Sequence, residues 1–512
     1  MVTTKSTLEQ FPNELLHYVF SYLQSDEIIY SFLSLNIRFN SLCHHYIEHI
    51  DLSMTNSVDK WFTENFQLIP SLIKTLKLND MQLDLVFESF NDVSTYFTQL
   101  KTIHLGIFLQ NGHYKQYLPV FKQTISSLLL NYQNATILSR IDHDILNEFI
   151  TNNAESSILL DTLTIHGVCL SFDGEQFQIC QTLKCLTIFI EYQHQLFILL
   201  EYLPQLEYLN VGIREGKAAK YDYNYSKTKH LSLKLREFIL SANDIHFSDI
   251  CLLLKQCQST LEILKIRFKI DYLIDGRMLE PFKRSLKQFY FYFFCHSLDD
   301  LSINALDLLS SFQTLAWSHQ PVMFFTNSFY QTYTLVSPPR DCQKFNCSLT
   351  NEFLNYYLNN RQEELKLPRI TRLFLNDKQQ PMYTYKFFRL LKTVFTNLQI
   401  LEVGSSFELH NDNLENDVTL DTVRTLIITN NQDHCVVKHL FKLLPNLYRL
   451  AIDYDLLINV TDELYFEQQQ DKFQYTPLNE ILIHFPPNQH TEITDDLKHK
   501  IKFSFKNAKI LS

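Results

Sequence analysis

Glycine is what this chain most lacks: eight residues in 512. Folds that cradle phosphates or dinucleotides do so with glycine-rich loops, since only glycine lets the backbone approach the ligand so closely. No P-loop, G-x-G-x-x-G or G-x-S-x-G motif occurs, and no cofactor is implied. Positive charge is also short, 45 Lys and Arg against 56 Asp and Glu, for a net charge of −11. A nucleic-acid surface needs a basic stripe to release counterions, so neither a nucleic-acid partner nor an anionic membrane is expected. Long apolar runs are absent and Met1 to Gln10 is polar, so neither a spanning helix nor a signal peptide is expected. The ten cysteines lie at 43, 169, 180, 185, 251, 257, 295, 342, 347 and 435, with no C-x-x-C pair. They read as small buried hydrophobes in a reducing compartment, cytoplasmic and/or nuclear.

What is abundant is Phe (41) and Tyr (27), within an ordinary globular balance of 46% hydrophobic and 20% charged residues. The first apolar pattern is short. Pro12 suits a helix first turn and Glu14 its positive end, and Leu15, Leu16, Val19, Phe20 and Leu23 follow at helical spacing. Ser25 is placed to cap a second helix carrying Ile28, Ile29, Phe32 and Leu33. Asn36 is placed to cap a third, carrying Ile37, Phe39 and Leu42. Such a trio is too small to bury all of its apolar surface alone.

From there a six-residue frame recurs, apolar-x-x-apolar-x-apolar. Clear copies begin at Ile73, Leu100, Ile125, Leu160, Leu183, Leu206, Leu235, Leu261, Leu286, Ile370, Leu398, Val423, Leu447 and Leu478. Weaker ones begin at Ile47, Phe312 and Cys342. Most neighbouring copies are 23 to 31 residues apart. That is a leucine-rich-repeat period, one strand and one helix per unit. Helices are expected at His434–Leu444, Lys386–Phe395 and Phe197–Leu203, and Leu-Pro-x-Leu at 203–206 and 444–447 marks the passage to a strand. The expected class is α/β, a short three-helix module over 1–46 followed over 47–512 by a curved solenoid with a parallel sheet. A doubly wound α/β enzyme is the competing reading. The fixed frame and the scarcity of glycine count against it.

Strand side chains alternate between faces, so residues between the frame positions face away from the core, onto the concave side. Tyr208, Ile239, Ile263, Tyr290, Tyr292, Arg372, Phe374, Ile400 and Ile427 are the substrate-contact candidates, since large apolar, aromatic and Arg side chains anchor interfaces. Apolar members that pack sideways on each other are the alternative. His45-Tyr-Ile-Glu-His49 sets two His one helical turn apart, and Asp142-His143-Asp144 with Glu148 gathers acid–base groups. Neither completes a metal or catalytic set. No catalytic or metal residue is assigned, and no enzyme is expected.

The N-terminal order Phe11-Pro-x-Glu-Leu-Leu16, Val19-Phe-x-Tyr-Leu23, an acidic pair before Ile28-Ile29, then Leu35-Asn-x-Arg-Phe39 resembles the F-box family. Phe11 stands where that family usually has Leu, Leu35 and Asn36 where it has Val and Ser or Cys, and Phe39 where Trp is common. The resemblance covers only this stretch. It implies that Phe11, Pro12, Leu15, Leu16, Val19, Phe20, Ile28 and Leu33 share two jobs, packing the trio and facing a Skp-family linker. With the repeats it implies a substrate-recognition adaptor of an SCF-type cullin–RING ubiquitin ligase, acting in ubiquitin-dependent degradation. An interaction scaffold whose box is vestigial or works outside ubiquitylation is the other reading.

Overall fold

The computed structural model describes residues 8–53, 69–79, 82–83, 85–86, 93–108, 124–133, 140–141, 159–172, 177–216, 234–270, 274–295, 311–312, 322–327, 332–337, 344–345, 366–368, 370–375, 383–404, 418–428, 434–468, 478–485, 493–505 and 508–511, with single positions 117, 308, 310, 317, 407 and 409. It is an α/β protein with a large, mostly parallel sheet. The chain divides into two units, residues 1–268 with 284–288, and residues 269–283 with 289–512.

The first unit begins with three helices, α1 (Asn13–Phe20), α2 (Ser25–Phe32) and α3 (Ile37–Ile47). Strands follow: β1 (His49–Asp51), β2 (Thr75–Asn79), β3 (Thr102–Phe108), β4 (Ser127–Gln133), β5 (Arg140–Ile141), β6 (Thr162–His166), β7 (Cys169–Leu170), β8 (Cys185–Tyr192), β9 (Tyr208–Glu215), β10 (Glu237–Asn243) and β11 (Ile263–Ile270). Two helices are interleaved, α4 (Gln193–Tyr202) and α5 (Phe247–Cys257). From β1 to β10 each main strand pairs in parallel with the next, β11 lies beside β10 in the sheet order, and the short β5 and β7 pair beside them. Ile50, Leu76, Ile103, Leu128, Leu163, Leu186, Leu209 and Phe238 stand in one register row. These are the fourth residues of successive frames. All are buried, and each contributes roughly 1.5–3 kcal/mol of apolar burial.

The second unit holds α6 (Gly276–Lys283), β12 (Gln288–Cys295, from Phe289 on), β13 (Met323–Asn327) and β14 (Thr332–Ser337), with β14 antiparallel to both β12 and β13. A separate seven-stranded parallel sheet runs β15 (Lys344–Phe345), β16 (Arg372–Leu375), β17 (Ile400–Val403), β18 (Thr425–Ile428), β19 (Arg449–Asp453), β20 (Glu480–His484) and β21 (Lys509–Leu511). Its frame row is Phe345, Leu373, Leu401, Leu426, Leu450, Ile481 and Ile510. Helices α7 (Tyr385–Val394), α8 (His434–Leu443), α9 (Tyr454–Gln468) and α10 (Asp495–Ser504) share one core with these strands. The weak frame at Cys342 thus marks a strand in register with its neighbour. The antiparallel β13–β14 pair corrects the expectation of parallel strands throughout. No strand is described over the weak frame at Phe312, whose Phe312 and Trp317 are buried side chains in contact.

One backbone device repeats along both units. The carbonyl of the second frame residue accepts the N–H of the second and third residues of the next copy. Glu48 O receives Lys74 and Thr75, Asp161 O receives Lys184 and Cys185, and Thr371 O receives Gln399 and Ile400, all at 2.7–2.9 Å. A second device closes helix ends. The carbonyls of Tyr202, Val394 and Leu443 accept from the N–H of Cys180, Leu367 and Leu420, one copy earlier, and so satisfy carbonyls that a helix end leaves open. The Leu-Pro-x-Leu sites form equal turns, Leu206 N–H to Leu203 O and Leu447 N–H to Leu444 O, both 3.2 Å. Glycine enters where a neighbour comes too close for a side chain: a Cβ on Gly212 would meet the Phe189 ring at 2.1 Å.

Candidate functional site

The three N-terminal helices are fixed from both ends of the sequence pattern. Pro12 lies one residue earlier than expected, as the N-cap of α1, its carbonyl accepting from Leu15 and Leu16. Helix α2 starts at Ser25 and is capped by Gln24 with Glu27 in a reciprocal box, so the cap is not Ser25. The Ser25 hydroxyl instead donates to His49 O at 3.1 Å, tying α2 to β1. Asn36 caps α3 as expected, accepting from Phe39 N–H at 3.0 Å. Ser34 turns the chain between α2 and α3 with φ 68°, a left-handed conformation that costs a non-glycine residue about 1 kcal/mol or more. Asn40 holds that turn by accepting from Ser34 N–H at 2.7 Å.

Arg38 locks the trio. Its guanidinium donates to the carbonyls of Glu9 and Phe11 and to Asn13 Oδ1 at 2.7–2.8 Å, while Asn36 Nδ2 donates to Glu9 Oε1 at 2.9 Å. The entry to α1 is thereby bound to the start of α3. Inside, Leu16, Phe20, Ile28, Ile29, Phe39, Leu42, Cys43 and Ile47 are buried. Phe32 lies tilted against Phe20 at 4.7 Å and stacks on Phe39 at 5.6 Å. Burial pushes the Cys43 thiol up to about 11, so it packs as a neutral thiol.

The eight residues expected to face both ways separate into three sets. Leu16, Phe20 and Ile28 are wholly inside, Leu33 is half-buried, and Phe11, Pro12, Leu15 and Val19 are exposed. Ile37, named with Phe39 and Leu42 as carried by the third helix, is 89% exposed, because it stands about 200° around the helix from Phe39. The missed residues are Leu8, Tyr18, Tyr22, Tyr30 and Ile37, all outward. Leu15, Tyr18, Val19 and Tyr22 follow i, i+3, i+4, i+7 spacing, and that spacing was the signal. Tyr22 OH donates to Tyr18 OH at 2.7 Å and so extends the stripe past the end of α1. Nine of the seventeen exposed large hydrophobics among the described residues fall between Leu8 and Ile37, far denser than scattered surface apolars need explaining.

On the strand arrays the frame residues are buried and most intervening ones half-buried, with Ala451 buried and Ser241, Arg267, Gln288 and Arg449 exposed. Tyr208, Ile239 and Ile263 are half-buried in the first unit, and Tyr290, Tyr292, Phe374, Ile400 and Ile427 in the second. None is fully exposed, as had been expected for several, because cross-strand neighbours cover their flanks. Tyr292 packs against the core cluster of the second unit. Arg372 is not a bare anchor, since its guanidinium reaches Glu402 at 2.7 Å. In the first unit Lys77 pairs with Asp51 at 2.6 Å. Burial raises the Asp51 pKa, but hydrogen bonds from Lys77 and Ser53 outweigh it, and the net shift is downward. Burial, with the Lys77 charge, lowers the pKa of His104.

The supposed His45/His49 turn does not form, because α3 ends at Ile47 and His49 opens β1. No group of three or more His, Cys, Asp or Glu set to hold a metal occurs among the described residues. Asp142, His143, Asp144 and Glu148 lie outside the described residues. Cys185 and Cys251 are half-buried rather than core, and burial pushes both thiols up, Cys251 to about 11 and Cys257 to about 12. A nucleophilic thiol needs the opposite shift. No helix among the described residues is long and apolar enough to cross a membrane. No family model and no curated protein matches the chain.

Proposed function

We propose that the chain is a non-catalytic substrate receptor of an SCF-type cullin–RING ubiquitin ligase. The three N-terminal helices are read as an F-box that docks a Skp-family linker, and the repeats as a leucine-rich-repeat solenoid that holds a protein target. One observation carries this reading: α1 is apolar on two faces. Leu16 and Phe20 pack inward, while Leu15, Tyr18 and Val19 face out, and Arg38 holds the entry to α1 in place. A helix that only capped the array would leave its outer face polar. The physics of the function is proximity. Two sites on one chain raise the effective concentration of the target near the ubiquitin-transfer machinery.

The test is capture of purified linker and cullin by the full chain. Phe11→Ala/Leu15→Ala is the informative variant, since both side chains are exposed and their loss spares the interior of the trio. Each truncation removes about 1–2 kcal/mol of docking energy, so capture falls at least tenfold while the circular dichroism spectrum stays that of the parent. A well-folded parent chain that captures no linker overturns the reading.

A further inference from the structure

In the second unit the sheet face turned from the core carries two registered rows. One is Arg372, Ile400, Thr425, Arg449, Glu480 and Lys509; the other is Phe374, Glu402, Ile427, Ala451, Leu482 and Leu511. From β18 to β21 the second row is apolar without a break, one side chain per strand: Ile427 and Leu482 half-buried, the small Ala451 buried and Leu511 exposed. We infer that this stripe receives an amphipathic α-helix of the target protein, laid across the strands with an acidic flank toward Lys509. The inference rests on the reading of the repeats as the target-holding part of the chain.

The spacing decides the occupant. Neighbouring strands stand about 4.8 Å apart, and a helix rises about 5.4 Å per turn. A helix with one apolar side chain per turn therefore meets one strand per turn. The mismatch sums to about 2 Å from Ile427 to Leu511, which a slight tilt absorbs. An extended segment presents same-side residues about 6.6 Å apart and loses register at once. It would also lay unpaired backbone N–H and C=O groups against an apolar stripe, whereas a helix satisfies its own.

The charges fit the same occupant. Arg372 pairs with Glu402 and Arg449 with Glu480, each at 2.7 Å. Covering the face therefore strands no charge inside these pairs, which is the usual cost of burying one. Lys509 is exposed and has no carboxylate partner among the described residues, so it selects a carboxylate on the flank of the incoming helix.

The experiment uses the full chain and three fluorescein-labelled peptides of about five turns (~18 residues). One has a leucine per turn and a glutamate-rich polar face, one has the same leucines with a lysine-rich face, and one is a scrambled isomer of the first. Anisotropy should show the acidic helix binding at least tenfold tighter than the scramble, and tighter than the basic helix. Ile427→Thr/Leu482→Thr, which keeps strand propensity, should weaken it about tenfold. Lys509→Glu should reverse the preference between the acidic and basic helices. Leu252→Ala, at an exposed position of α5 in the first unit, should leave binding unchanged. Scrambled and helical peptides binding alike, no peptide binding, or the double variant binding as the parent does would overturn the inference. Linker capture measured on the same samples separates the two readings: capture without helix binding removes this inference alone.

Discussion

Both units stack the same frame, yet they place their charge differently. In the first, the second frame residues run Glu48, Lys74, Lys101, Ser126, Asp161, Lys184, Glu207, Arg236, Glu262 and Lys287, and from Asp161 onward the sign alternates at every copy. Glu48 pairs with Lys74 and Glu262 with Lys287, both at 2.7 Å. In the second, the same position reads Thr371, Gln399, Arg424, Tyr448 and Asn479. The backbone bonds are the same in both. The face differs as well. At the fifth frame position the first unit runs Asp51, Lys77, His104, Leu129, Thr164, Thr187, Asn210 and Ile239, where the second runs Phe374, Glu402, Ile427, Ala451 and Leu482. The frame and its carbonyl ladder thus build the array, and the positions between are free to set which surface is charged and which is apolar.

The largest effect should show no difference between the units. Leu209→Ala in the first and Leu426→Ala in the second each remove a wholly buried frame side chain. Each should cost about 2–5 kcal/mol in denaturant unfolding. A frame residue in one unit that costs under about 1 kcal/mol would break the claim of a common core. Next comes Arg38→Ala, which frees three oxygen acceptors at the entry to α1. Loss of charged hydrogen bonds of this kind costs about 1.5–3 kcal/mol. Hydrogen exchange should rise at the start of α1 while the strands of both units stay protected.

The acid response should be smaller and should separate the units. Hydrogen bonds from Lys74 and Lys287 lower the pKa of Glu48 and Glu262. A carboxylate depressed in the folded state binds fewer protons than in the unfolded state. Its stabilisation is therefore present above the unfolded value of about 4.3 and lost as pH falls through the folded one. Between pH 6 and pH 3 the protection factors in β1, β2 and β11, taken relative to the slower intrinsic exchange in acid, should fall, and Glu48→Gln/Glu262→Gln should flatten that response. An equal fall in β17 to β19, where the second frame positions carry no carboxylate, would remove the distinction. Asp421, lowered by its bond from Lys392, is the second unit's own smaller acid-sensitive point.

Much of this array was legible in the sequence because a frame repeats and each copy constrains the next. Leu76, Leu163 and Leu426 are fixed by alternation alone. Cys342-Gln-Lys-Phe345 pointed to a strand with little apolar signal because its spacing fitted. The β13–β14 pair was not legible, since antiparallel pairing shows in register and not in local pattern. Arg38 stood in the F-box-like motif, but its bonds to Glu9 and Phe11 carbonyls depend on the third dimension. The two-sided apolarity of α1 was written in Leu15, Tyr18, Val19 and Tyr22. Tyrosine is so common in this chain that the stripe did not stand out.

The most direct measurement is hydrogen exchange of the full chain with and without purified Skp-family linker. The account predicts new protection confined to residues 8–37, strongest around Leu15 to Tyr22, and its loss in Phe11→Ala/Leu15→Ala. Protection that appears only on the strand arrays, or none at saturating linker, would contradict it.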